Sequence, residues 1–166
     1  ARLLITDSTI SKNRTEGPDS RGGGVGEVPG GVLPVTIMRT TVWNNETQKK
    51  DSMGGGLAIQ NLKLIQSIVS HNTTFGMDSH GAGIAMERGL ITRSAMIFNE
   101  ALGPGSDGAG VFVENPSSLS ISNSTISRNT AADAGGGLML GESDSNVQVK
   151  VTYSTITRNM ASPNRG

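Results

Sequence analysis

No cysteine occurs in the sequence, which excludes disulfides and zinc–thiolate centres. Neither sign of charge predominates. The 14 Lys and Arg balance 14 Asp and Glu, so net charge gives no reason to expect nucleic acid or an anionic membrane as a partner. Aromatics are few: Trp43, Phe75, Phe98, Phe112 and Tyr153 are all there are. A core must therefore rest on Val, Ile, Leu and Met. No apolar run approaches the ~20 residues of a membrane helix, and membrane insertion is not expected. The opening stretch ARLLITDST lacks the long apolar region of a secretion signal. If the protein is exported, this chain is expected to be a processed or partial form.

What is present is repetition. STISKN at 8–13 returns as STISRN at 124–129 and STITRN at 154–159. Aligning on the closing Asn makes degenerate copies legible as TTVWNN at 40–45, SIVSHN at 67–72 and SAMIFN at 94–99. The anchors Asn13, Asn45, Asn72, Asn99, Asn129 and Asn159 recur at intervals of 32, 27, 27, 30 and 30. Five positions earlier lies a row of small hydroxyls: Ser8, Thr40, Ser67, Ser94, Ser124 and Ser154. Three and eight positions before each Asn the side chain is always apolar, whereas six before it is polar and varied (Asp7, Arg39, Gln66, Arg93, Asn123, Tyr153). That varied row reads as solvent-facing. Glycine triplets or their GAG variants end at Gly24, Gly56, Gly83, Gly110 and Gly137, each followed by an apolar residue.

Within each repeat the apolar period is two, which specifies strands. A strand repeat at such intervals, with short turns, predicts an all-β fold: one right-handed parallel β-helix of about five to six rungs, spanning 1–166 as a single domain. Like positions then stack on one another ~4.8 Å apart. The Asn row is expected to form an inward amide ladder, since each amide offers both donor and acceptor to its neighbours. The Ser/Thr row is expected to do likewise. The turn glycines are expected to supply positive φ at a corner. GEVPGGVLP at 26–34, ENPSS at 114–118 and GESDSN at 141–146 read as loop insertions, and MASPNRG at 160–166 as a terminal turn.

With these motifs in view, "GGGL … STISRN" resembles the repeat units of polymorphic outer-membrane proteins and related large bacterial exoproteins of the right-handed parallel β-helix type. The resemblance spans essentially the whole chain. It implies an exported or cell-surface location and a structural or adhesive role, with a surface glycan or protein as ligand. This chain is much shorter than typical members, and no membrane anchor is evident in it.

Chemistry-bearing residues are sparse. A glycosidase needs two converging carboxylates ~5–9 Å apart. Acids in the strand frame are limited to Asp7, Glu87, Glu114 and little else, and Asp7 and Glu87 belong to different rows. A polysaccharide lyase, glycosidase or carbohydrate-binding module is thus the alternative, resting on fold analogy. Asp19, Asp51 and Asp78 recur ahead of the glycines. They read either as stacked calcium ligands or as caps of turn amides. The GGxGxDxxx nonapeptide of calcium-binding β-helices is absent, which favours caps and no cofactor. A threonine ladder for ice binding is broken in the middle rungs. Trp43, Ile97 and Phe98 are candidates for a contact patch on neighbouring rungs. His71 and His80 read as solvated turn residues. No capping helix or polar terminal rung is evident, so the chain is expected to be a fragment of a longer β-helix or a protomer that self-associates head-to-tail through its end rungs.

Overall fold

The computed structural model describes residues 2–28, 30, 33–142 and 147–162. It is a parallel β-solenoid of about five turns, and no helix occurs among the described residues. Three parallel sheets line the rod. Sheet 1 has nine strands, among them Leu3–Thr6, Val35–Met38, Asn61–Ile65, Ile84–Thr92, Val111–Ser122 and Gln148–Thr152. Sheet 2 stacks Thr9–Ser11, Thr41–Trp43, Ile68–Ser70, Ala95–Ile97, Thr125–Ser127 and Thr155–Thr157. Sheet 3 stacks six very short strands, from Arg14–Thr15 to Met160–Ala161.

The register follows the repeat. In sheet 2 the centre of each strand points inward, so Ile10, Val42, Val69, Met96, Ile126 and Ile156 form one row. Sheet 1 contributes the rows through Ile37, Leu64, Ile91 and Ile121 and through Val35, Leu62 and Leu119. The strands after the glycines add Leu57, Ile84 and Val111. Apart from the partly buried Ile10 and the exposed Ile156 of the end rungs, these side chains form one continuous buried core, each contributing roughly 1.5–3 kcal/mol by leaving water. A separate small cluster of Ala82, Ala101, Ala109 and Ala131 fills the narrow edge at sheet 3.

Changes of repeat length are absorbed locally. Met86 pairs with Val113, but Arg88 pairs with Ser118, so the later strand advances farther than the earlier one between the two pairs. The ENPSS stretch is therefore a bulge inside a continuous strand, and the rows beyond it keep their register. Parts of the other two insertions, and the end of the terminal turn, lie outside the described residues.

The corners hold two surprises. The glycines at 24, 56, 83, 110 and 137 do not supply positive φ. That conformation belongs to the first glycine of each triplet: Gly22, Gly54, Gly81, Gly108 and Gly135. The third glycine is required for space instead. A Cβ on Gly83 would lie 2.6 Å from the Gly110 carbonyl oxygen and 2.8 Å from Asn99 Nδ2. Gly56 meets the next rung and Asn72 in the same way. The second surprise is the row six before each Asn. It is exposed, but all six residues, from Asp7 (φ 50°) to Tyr153 (φ 49°), are left-handed corner residues. The row Lys12, Asn44, His71, Phe98, Arg128 and Arg158 turns the opposite edge of sheet 2 in the same conformation.

Candidate functional site

The most developed polar architecture is internal. Asn45, Asn72, Asn99 and Asn129 are almost completely buried. Each accepts two bonds at Oδ1 from the rung before: Asn72 donates its backbone N–H and its Nδ2 to Asn99 Oδ1, both at 3.0 Å. Asn99 Nδ2 then donates to Asn129 Oδ1 at 3.0 Å and to the Val69 carbonyl at 3.1 Å. The pattern runs from Asn13 to Asn159. The third glycine of each triplet makes this ladder fit, because its missing side chain is the space the amide occupies.

A second ladder joins sheets 1 and 2. The backbone N–H groups of Ser8, Thr40, Ser67, Ser94 and Ser124 each donate to the hydroxyl of the next rung, at 3.1–3.4 Å. Each of these hydroxyls, and that of Ser154, donates to the carbonyl two positions earlier. A third ladder runs through Ser52, Ser79 and Ser106 with the same backbone-to-hydroxyl step. Ser52 and Ser79 directly follow Asp51 and Asp78, whereas Ser106 follows Gly105.

Asp19, Asp51 and Asp78 stack on successive rungs in left-handed corners (φ 53°, 57° and 53°) with exposed side chains. Asp51 pairs with Lys50 at 3.2 Å. Among the described residues no three His, Cys, Asp or Glu side chains converge as a metal centre would require.

The aromatic and apolar candidates fall on sheet 2 but not on adjacent rungs. Trp43 and Ile97 share a row with Ser70 between them. Phe98 lies beside Ile97 at the corner, so the patch is interrupted by one rung. It is organised by cations instead. Lys12 Nζ sits 5.5 Å from the Trp43 ring, and the Arg128 guanidinium 5.3 Å from Phe98. His71 stacks on Phe98 at 5.1 Å.

His80 departs from the solvated reading. It is mostly buried, stacks on Phe112 at 4.7 Å, and its Nδ1 accepts the Asp107 N–H at 3.1 Å. The Asp107 carboxylate lies 3.6 Å from the same atom.

Asp7, Glu87 and Glu114 each have a cationic neighbour. Arg39 grips Asp7 through two bonds, at 2.6 and 2.7 Å. Hydrogen bonding from this guanidinium holds the Asp7 carboxyl below its ordinary 3.8, and Asp7 in turn raises Arg39. One cluster was missed in the sequence although the spacing announces it: Glu114 follows Glu87 at the same interval that separates Asn72 from Asn45. The two lie on adjacent rungs. Gln60 Nε2 donates to Glu87, Arg88 lies 3.5 Å from Glu87, and Arg21 lies 3.6 Å from Glu114. They line a dent of only about 10 Å³ with Ile59, Ala85 and Met86, room for about one water.

The fold and its ladders define a parallel β-solenoid repeat protein. No protein-family model, curated protein or solved structure matches the chain.

Proposed function

We propose that this solenoid is a non-catalytic structural or adhesive element, exported and displayed at a bacterial cell surface or in an extracellular assembly. The observation that carries this reading is the set of axial ladders, with the Asn row extending from Asn13 to Asn159. A rod whose every rung is hydrogen-bonded to the next, through side chains as well as strands, is built to hold length and shape. Its exposed corners display side chains at a fixed ~4.8 Å step. Among the described residues the strands of the first and last rungs are paired on one side only, an edge on which another copy can stack.

The competing reading, a polysaccharide-active enzyme, draws on the Glu87, Glu114 and Arg21 cluster. Against it, the dent has no room for a sugar ring, and the carboxylates are engaged by Gln60, Arg88 and Arg21. Incubation with a panel of acidic and neutral polysaccharides tests the choice. No new reducing ends or unsaturated products are expected. Turnover abolished by Glu87→Gln would overturn the structural reading. Electron microscopy over a concentration series separates discrete rods from end-stacked filaments.

A further inference from the structure

The neutral net charge conceals a strong partition. Sheet 2 and its two corners comprise segments 7–12, 39–44, 66–71, 93–98, 123–128 and 153–158. They carry Lys12, Arg39, Arg93, Arg128 and Arg158 against one carboxylate, Asp7, a local net of +4 on a chain of formal charge zero. All five cations are exposed. Among them lie separate apolar side chains: Ile68 is 45% and Phe98 37% exposed, and Trp43 and Ile97 are partly covered on either side of Ser70. Gln66, Arg93, Asn123, Ile68, Ala95 and Thr125 line an open groove of about 540 Å³.

The side formed by sheet 3 is its counterpart. On the third to fifth rungs, segments 72–78, 99–105 and 129–134 contain Asp78, Glu100 and Asp133 and no Lys or Arg. The three carboxylates are exposed. They flank an apolar strip: Phe75 and Leu102 follow the paired residues Thr74 and Ala101 on adjacent rungs, with Met77 beside them, 44%, 45% and 51% exposed respectively. Each side therefore carries exposed apolar side chains, those on sheet 2 among cations and those on sheet 3 among the carboxylates of the third to fifth rungs, with Lys49 and Lys50 bordering the latter on the rung before.

We propose that the sheet 2 side of one copy of this chain docks on the sheet 3 side of a second copy, so that rods associate laterally in a heterologous contact. The inference deepens the structural reading and rests on it: a wall or bundle of rods is what such a contact builds. The apolar side chains supply the burial, and the opposed charges set sign and orientation. A specific contact needs roughly 800 Å² per partner, about a tenth of the 7918 Å² surface, which fits within one side of the rod. Because sheets 2 and 3 are different sides of one prism, the contact leaves both partners with a free side, and growth continues unless the rotation closes a ring.

Sedimentation from micromolar to millimolar protein tests the inference. At low ionic strength the mass should rise with concentration. At about 1 M salt, where the Debye length is about 3 Å, association should weaken by roughly tenfold or more. Arg93→Glu/Arg128→Glu and Glu100→Arg/Asp133→Arg should each remain monomeric, while an equimolar mixture of the two variants should associate. Arg93→Gln/Arg128→Gln provides a milder version whose folding circular dichroism can check. Wild-type protein that stays monomeric, or folded single-side variants that associate like wild type, would overturn lateral docking. The latter result points to end stacking and leaves the structural reading intact, whereas polysaccharide turnover strikes that reading alone.

Discussion

Two buried polar rows run side by side through this rod, two positions apart in the chain, and they behave in opposite ways. Asn45 and its stacked partners have their amides bonded to the next rung and to a carbonyl behind. Thr47, equally buried, has a hydroxyl with no partner among the described residues, as does Thr15 one rung before it. Further along the same row Thr74 finds the Ser79 carbonyl at 3.0 Å, and beyond it the row becomes Ala101 and Ala131. The difference teaches what stacking demands. A buried polar group that can bond to its own copy repeats in every rung. One that cannot has no reason to recur, and the row drifts to alanine.

The sharpest way to break the comparison is Asn99→Ala. It removes four bonds and leaves the Asn72 N–H and the Val69 carbonyl buried without the partner they had. At roughly 1–3 kcal/mol for each orphaned group, about 3 kcal/mol of stability should be lost. Urea denaturation measures this, and a loss below about 1 kcal/mol would mean that the ladder is ornamental.

Gly83→Ala should come next, at about 1–3 kcal/mol, because the new methyl group meets both the Gly110 carbonyl and the Asn99 amide. It also sharpens the comparison by coupling. In an Asn99→Ala background half of the clash is gone, so the two costs should sum to less than their separate values. Strict additivity would refute the claim that glycine and asparagine recur for each other's sake.

These two residues also show how far the sequence could be read. Parallel stacking converts a column in space into a spacing in the chain, so the rows, the sheets and the Asn ladder were legible from the recurring intervals alone. The role of Gly83 was not, because positive φ and lack of space both demand glycine and leave the same letter. The left-handed corners were hidden for the opposite reason: Arg93, Phe98 and Tyr153 are residues that rarely adopt that conformation, so no letter marks them. Trp43 and Ile97 looked adjacent because both are bulky, but Ser70 holds the rung between them. The neighbourhood of Glu87 and Glu114 is written in a one-rung spacing, whereas Glu87 and Asp7 stand in different rows.

The Thr row supplies the converse test. Thr47→Val keeps the shape and removes a hydroxyl that is buried without a partner, so it should stabilise by up to about 1 kcal/mol, or roughly 2–4 °C in Tm for a chain of this size. A loss of more than about 1 kcal/mol would show that the hydroxyl has a bonded partner and that the two rows are alike.

The smallest effect belongs outside, where a polar row faces water and its members need not match. Arg93→Ala should change stability by less than about 0.5 kcal/mol, because its side chain bonds to nothing among the described residues of the rungs before and after. Asp7 and Arg39 are the exception in that row. The folded-state pKa of Asp7 lies below its unfolded value of 3.8, so the pair's stabilisation is present above that value and fades as pH falls through the lower folded pKa. Asp7→Asn should remove this acid-limb dependence and leave stability near neutral pH almost unchanged, since both partners are in solvent. Thermal melts of the two proteins from strongly acidic to neutral pH read the difference. A loss at neutral pH as large as that of Asn99→Ala would mean that the outer rows bind the rungs as strongly as the inner ones, and that burial is not what makes a ladder.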